Sequence, residues 1–583
     1  MKFKQGNDYI LLMTKLMFTD AHKLMIAMLE RYVNLNRSTT AESQLSKWIF
    51  DNIEAQALTM LSVCTLHGSN SPIQSIIGSM SSALLTKNRD AGKVIATYTC
   101  VAEFVTISPE IFIPTFTYAD ARKCKSIFYD EKEAKKKLFQ LPSMGKPTKN
   151  HKHLGRFQWN RTTSEAIDKL NHIPLCVMNF EETSIPLEGS EERVKYDIRS
   201  ILRPAFAKDM TKLYFQWNDD YRGRMYPSGY HFNVQGNEYE KNIFRFANAI
   251  KIDNIDDYRT CELAIIRAIA FAFGENKIID KLKYAWFEEH EDNLDWRLAE
   301  EPTYARAQLQ ALKELREHDL ISIPIELDAT NSQKQIISVL TGDLRTAASC
   351  NIVTDNTYIQ DAYRLVAEEM SRLTGFKFDR SQIKKSDMID GYGAGKERVT
   401  KQLQSDLREL FSESSVEAFY TASNTVCPTV TILKSTFQAL WDDSRTTWSW
   451  TLPDGFVVTY RTTETRVIKL NPFNTGEFDI ILTMIMPTSK NTGLGVNIIH
   501  SIDSYIARQM IMRCPFEVIT IHDGFRCLPL YVDIMQQTYN EIMADIVDST
   551  LLQDIVKELS GIELSITKEF TGKHVMNSKY SIS

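Results

Sequence analysis

The chain has no hydrophobic run that approaches the roughly eighteen consecutive apolar residues of a spanning helix, so no membrane role is expected. It has no C-x-x-C pair either. Its nine cysteines are odd in number and far apart, which argues against a zinc site and for reduced, mostly buried thiols in a cytosol-like compartment. The opening MKFKQGNDYILLMTKLM lacks the small-residue cleavage pattern of a secretory signal and the arginine-rich, acid-poor character of an organellar presequence. Neither sign of charge dominates: 74 acids against 68 Lys and Arg leave a net charge of -6. The sum does not mark a nucleic-acid partner, although a positive channel inside a mildly acidic body gives the same total.

What is present describes a large globular chain. A hydrophobic fraction of 43% with 24% charged residues excludes wholesale disorder. A length of 583 residues exceeds what one core usually serves, so two to four subdomains are expected. Residues 1–120 carry helical apolar spacing. From Arg122 to Arg156 the chain is basic and interrupted by Pro142, Gly145 and Pro147, which suits a solvated linker or a phosphate-contacting flap. Residues 160–215 read as two helices around a charged loop, and 240–320 as an extended helical region.

Four stretches carry chemistry. An apolar run ending Ile325-Glu326-Leu327-Asp328 gives way at once to a helix-compatible segment, which predicts a strand that presents a carboxylate at its end. Phe516-Glu517-Val518-Ile519-Thr520-Ile521-His522-Asp523-Gly524-Phe525 predicts a tight hairpin with a second carboxylate at its apex. Two such acids brought together can hold two Mg²⁺ ions, the arrangement that clamps attacking and leaving oxygens in phosphoryl transfer. Arg380, Lys384 and Met388 fall on one face of a predicted helix, extended by Asp387, Gly391 and Tyr392, a stripe able to read a triphosphate with the sugar at the tyrosine end. Asp220-Tyr221-Arg222-Gly223-Arg224 sets two guanidinium forks about a glycine, suited to phosphates. Each has a plainer reading alone: a turn or N-cap aspartate, a basic loop, an exposed basic helix face. Together they describe a two-metal phosphoryl-transfer enzyme. Trp448 to Met486 reads as a protruding β-ribbon, His500 as lying near a helix N-terminus at the nucleotide site, and Glu563 to Thr567 as a short strand before a polar tail.

In this order the stretches resemble the phage-type single-subunit RNA polymerases, a group that includes the mitochondrial transcription enzymes, within the A-type polymerases. Asp220 to Arg224 is similar to the family's D-x-x-G-R contact, Asp328 through Gln335 to motif A, Arg380, Lys384, Tyr392 and Gly393 to motif B, and His522-Asp523-Gly524-Phe525 to motif C. The resemblance covers about residues 210–530. It implies an α+β, mostly helical right-hand fold of fingers, palm and thumb: a reduced helical N-terminal domain at 1–120, a thumb-like and linker region with the basic stretch at 121–210, palm at 211–375, fingers with a candidate specificity ribbon at 376–495, and palm completion at 496–583. The implied activity is DNA-directed synthesis of RNA from NTPs on a DNA template.

Individual roles follow from the same resemblance. Two Mg²⁺ ions sit at Asp328 and Asp523 with Ala329 beside them. Arg380 and Lys384 serve the triphosphate and the leaving diphosphate. Tyr392, next to Gly393, senses the ribose 2′-hydroxyl with the help of His500, and His522 supports the primer end. Arg222, Gly223, Arg224 and Gln335 contact template or nascent RNA. Gln333, Lys334 and Ile336 depart from motif A, and Gly524 stands where serine is frequent. The short region before the basic stretch suggests the small phage branch that needs help with promoter opening, from a single-strand DNA-binding protein, a second subunit or an unwound template, in the cytoplasm of an infected bacterial host. An A-type DNA polymerase or primase, or a catalytically inactive DNA-binding relative, is the alternative.

Overall fold

The computed structural model describes Lys146 and residues 161–188, 190–229, 232–470, 478–489 and 493–583. The expected helices of 1–120 and, apart from Lys146, the basic stretch 122–156 lie outside the described residues. Gln140–Arg461 with Thr488–Ser583 form one compact unit, and Met1–Phe139 with Thr462–Pro487 another.

The described residues are mostly helical, with small antiparallel sheets, as the α+β expectation had it. Strands β1 (Gln216–Asp219) and β2 (Met225–Ser228) pair as a hairpin whose loop is Asp220 to Arg224. Strand β3 (Ile325–Asp328) alternates buried Ile325 and Leu327 with the more open Glu326 and Asp328, the period of a strand with one covered face. Helix α1 (Ser332–Thr341) follows, capped by the Asn331 side chain, which accepts from the Lys334 N–H at 3.2 Å, and stopped by Gly342 at φ 70°. Helix α2 (Arg380–Gly391) opens on a capping box formed by Asp379 and Gln382. Its Ile383 belongs to a second core with Val366, Phe378, Val399, Leu403 and Phe419, distinct from the large core around β3 and α1.

The expected single ribbon is two hairpins. β4 (Thr447–Thr451) pairs with β5 (Val457–Arg461), and in the other unit β6 (Thr463–Leu470) pairs with β7 (Phe478–Ile485). The first hairpin does not protrude: Trp448 and Trp450, two apart on one face, are fully buried.

Helix α3 (Gly493–Arg513) begins about one turn before the expected start at Asn497, so His500 lies about two turns inside it and not near its N-terminus. Gly493 and Gly495 serve close packing. A Cβ on Gly495 would stand 3.0 Å from the Phe437 ring, and one on Gly493 would collide with the Tyr460 hydroxyl. β8 (Ile519–Ile521) and β9 (Gly524–Cys527) form the expected hairpin with His522-Asp523 as its two-residue turn, followed by helix α4 (Val532–Asp548). β9 also pairs with β3, which gives a three-stranded sheet in the order β8-β9-β3.

The strand expected at Glu563 to Thr567 does not form. Leu564 and Ile566 do lean on the core, which explains the alternating pattern, but no partner strand accompanies them among the described residues. The polar tail is ordered against the sheet: Ser583 N donates to Asp328 O (3.0 Å), Thr330 N to Ser581 O (3.2 Å), and Ile582 bridges Ala329.

Candidate active site

The register of β9 on β3 sets Gly524 opposite Asp328, and the Ala329 N–H donates to the Asp523 carbonyl at 3.2 Å. Two residues 195 positions apart are thereby neighbours at one end of a sheet. Asp328 keeps access to solvent, yet protein packs densely around its carboxyl group. That burial, then the Asp523 carboxylate, then Glu326, push its carboxyl well above the usual range. A Cβ on Gly524 would stand 3.3 Å from Asp328 Oδ1, so the glycine leaves that carboxylate its space. Beside them Arg526 and Lys241 bind Glu326 (Arg526 Nε to Oε2 and Lys241 Nζ to Oε1, both 3.0 Å) and keep it ionised.

Two neighbouring like-charged carboxylates form a natural cation site. Among the described residues no group of three or more His, Cys, Asp or Glu side chains is disposed to hold a metal, so the candidate is a two-carboxylate set. This suits Mg²⁺, which takes one or two protein carboxylates and fills its shell with water and substrate phosphate.

The apical His522 has φ +57°, a conformation few residues other than glycine adopt, and its ring packs edge-on against Tyr226 at 5.6 Å. Burial, with Arg224 next, lowers its pKa. Tyr392 caps the end of α2, where Gly393 turns the chain at φ +85°. Burial, then Asp503 and Asp523, push the Tyr392 phenol up to about 12 despite a hydrogen bond with Ser332, and the ring lies 5.0 Å from that of His500. Lys384 is exposed and makes no ion pair among the described residues. Arg380 is partly committed, with Nε on the Asp361 carboxylate and its guanidinium 5.6 Å over Tyr363.

Several expectations need correction. Asp387 is not on the open stripe of α2: it is buried against Lys334 of α1 and accepts from Ser423 Oγ at 3.0 Å. Gln335 is buried and saturated, its amide donating to Ser581 O (2.7 Å) and Cys350 O (2.9 Å) and accepting from the Tyr539 hydroxyl (2.8 Å), so it has no reach to nucleic acid. Gly223 is buried in its turn at φ +83°, with its carbonyl accepting from Arg508 Nη1 (3.3 Å). Arg222 and Arg224 are not open forks: Asp220 holds the first at 2.6 Å and Asp503 the second at 2.8 Å. Ala329 is buried, and its contact with the turn is through its N–H.

Sequence reasoning missed two residues. Lys277, in the segment between helices Ile255–Ala272 and Asp280–His290, is exposed yet lies within electrostatic reach of Asp361, Arg380, Asp328 and Lys384, and desolvation by the protein around it holds its pKa below the usual lysine value. Nothing in the sequence around it signals this. Asp503, buried with Arg224, is raised by burial and by Asp523. Its signal was available, since it follows His500 by three and so shares its helix face.

No protein-family model matches the chain. Over 222 residues, 34% of this chain and 24% of the relative, it is 28% identical to a probable DNA-directed RNA polymerase of Neurospora crassa. It is 22% identical over 437 residues, 64% of this chain, to the chloroplastic DNA-directed RNA polymerase 3B of Nicotiana tabacum, and 24% identical over 412 residues, 60% of this chain, to the mitochondrial DNA-directed RNA polymerase 1 of Arabidopsis thaliana. All three are named RNA polymerases. The chain spans less than half the length of these curated relatives, 44% and 41% for the two plant proteins. Their fungal and plant organellar sources overturn the expectation of a phage-infected bacterial cytoplasm. Among the described residues no helix is long and apolar enough to cross a membrane.

Proposed function

We propose that the chain is a DNA-directed RNA polymerase of the single-subunit, right-hand type, which adds NTPs to nascent RNA on a DNA template. The observation that carries this is the pairing of β9 with β3, which sets Asp328 beside the His522-Asp523 turn, with Asp328, Arg380 and Lys384 all within electrostatic reach of Lys277. Similarity to proteins named RNA polymerases supports it.

Asp328 and Asp523 would hold two Mg²⁺ ions, which supply charge neutralisation for in-line displacement at the α-phosphate. Lys384, Arg380 and Lys277 bind the triphosphate and stabilise the charge that develops on diphosphate as it leaves. Tyr392 stays protonated at neutral pH, so its hydroxyl can hydrogen-bond at the sugar. Primer extension on a primed or pre-opened DNA template tests the reading. RNA extension with NTPs favoured over dNTPs by well over tenfold, about 1.4 kcal/mol or more, is expected. Preference for dNTPs would replace it with a DNA polymerase, and template binding without extension with an inactive relative.

The cations give a separate expectation. Lys384→Ala and Lys277→Ala each remove a charge-assisted contact to phosphate, about 1.5–3 kcal/mol, and lower kcat/KM for NTP by roughly ten- to hundredfold. Lys385→Ala, on an exposed neighbour, stays near wild type in the same steady-state assay.

A further inference from the structure

The loop Asp220 to Arg224 lies along one stripe of α3. Asn497, His500, Ser504 and Arg508, spaced three, four and four apart, share a helix face, and each touches the loop. The Tyr221 hydroxyl donates to Asn497 Oδ1 (2.6 Å), Ser504 Oγ donates to Arg222 O (2.6 Å), and Arg508 Nη1 donates to Gly223 O (3.3 Å). At the middle of the stripe Arg222 Nη1 lies 3.0 Å from His500 Nδ1. Asp220 fixes that guanidinium from the other side through Nε (2.9 Å) and Nη2 (2.6 Å), and its Oδ1 takes the Arg222 backbone N–H (2.9 Å).

A guanidinium only donates. His500 Nδ1 must therefore be the acceptor, which places the ring proton on Nε2, and among the described residues Nε2 has no other partner. Burial, then the Arg224, Arg222 and His522 charges, hold the His500 pKa down at about 3, so the ring is neutral in working conditions. The imidazole stands 5.0 Å from the Tyr392 ring.

We propose that Arg222, braced by Asp220, is a positioning residue that locks His500 as a neutral Nε2–H donor toward the 2′-hydroxyl oxygen of the incoming ribonucleotide, so that the loop serves sugar selection through the helix. This rests on the polymerase reading for the identity of the acceptor, but not for the tautomer.

Two measurements separate these halves. In full-length protein labelled with ¹⁵N-histidine, and with His500→Ala to assign the signal, wild-type His500 should show a protonated Nε2 and an accepting Nδ1. Arg222→Met should mix the tautomers, and Arg222→Lys, which keeps a donor, should restore them in part. A protonated Nδ1 in the wild-type protein, needing no variant, or an unchanged ring in Arg222→Met, would overturn the proposal. In primer extension, Arg222→Met should lower the NTP-over-dNTP ratio of kcat/KM by about tenfold, yet by no more than about twofold in a His500→Ala background, because the two act through one contact. An equal loss in both backgrounds would overturn the positioning role. An enzyme that extends with neither sugar would remove the polymerase reading and the sugar-selecting half together, while the labelling result reads the tautomer by itself.

Discussion

Asp523→Asn is expected to fold normally and to lose nucleotidyl transfer by at least about 10³-fold, a barrier increase of about 4 kcal/mol. Asparagine keeps the shape of the turn apex but removes one of the two charges that would hold the metal pair. The same change has the opposite sign for the metal-free protein. Asp328 and Asp523 repel each other across the β3–β9 register, and Asp328 is pushed up for that reason as well as by burial. Neutralising either acid relieves the repulsion, so thermal stability without divalent cations should hold or rise. The wild-type protein should gain about 2.7 kcal/mol when Mg²⁺ is raised to a hundred times its Kd, and the variant should not. Asp328→Asn should behave alike in single-turnover extension and in Mg²⁺-dependent unfolding. Retained turnover in either variant would remove the two-metal reading.

The largest effect on stability is expected at Lys334. Its ammonium and the Asp387 carboxylate are each 1% exposed and pair directly, with Ser423 on the second carboxylate oxygen and the Tyr363 ring 5.4 Å from Nζ. Burial opposes the charge on Lys334, yet Asp387 holds its pKa above the usual lysine value. Lys334→Ala leaves a buried carboxylate without its cation, which typically costs about 3–5 kcal/mol. Replacing both partners by apolar residues of similar size, Lys334→Met with Asp387→Leu, should recover most of that loss. Denaturant unfolding of the single and double variants checks both signs, and a loss below about 1 kcal/mol in the single variant would mean that the pair is hydrated and weak. Because the pair joins α1 to α2, the single variant should also loosen the helix that carries Lys384 and Tyr392 relative to the sheet that carries Asp328.

Much of the site was legible because its signals are local. Alternation toward Asp328, the His-Asp-Gly turn and the four-residue spacing of Arg380, Lys384 and Met388 need only a few neighbouring residues to be read. The misreadings share a cause: a polar residue was taken as facing solvent or ligand when its partner lies far off in the chain. Arg224 meets Asp503 at a separation of 279 residues, Gln335 meets Ser581 at 246, and Asp387 meets Lys334 at 53. No window around any of them contains the answer. Two of the three residues that depart from the resembled pattern gain a physical account. Lys334 pairs with Asp387, and Gln333 fills the space over Gly391, where a Cβ would meet its amide at 2.5 Å. Both sit between α1 and α2, Lys334 through its ion pair and Gln333 through close packing.

The ordering of Ser581 and Ser583 against Asp328 and Thr330 bears on how the protein is made. The Thr330 hydroxyl donates to the Ser581 carbonyl across 251 residues. At about 5–20 residues per second on the ribosome, that separation amounts to roughly 10–50 s of synthesis. During that interval the first aspartate has emerged while its flanking segment has not, so β3 waits first without β9 and, until the end, without the tail.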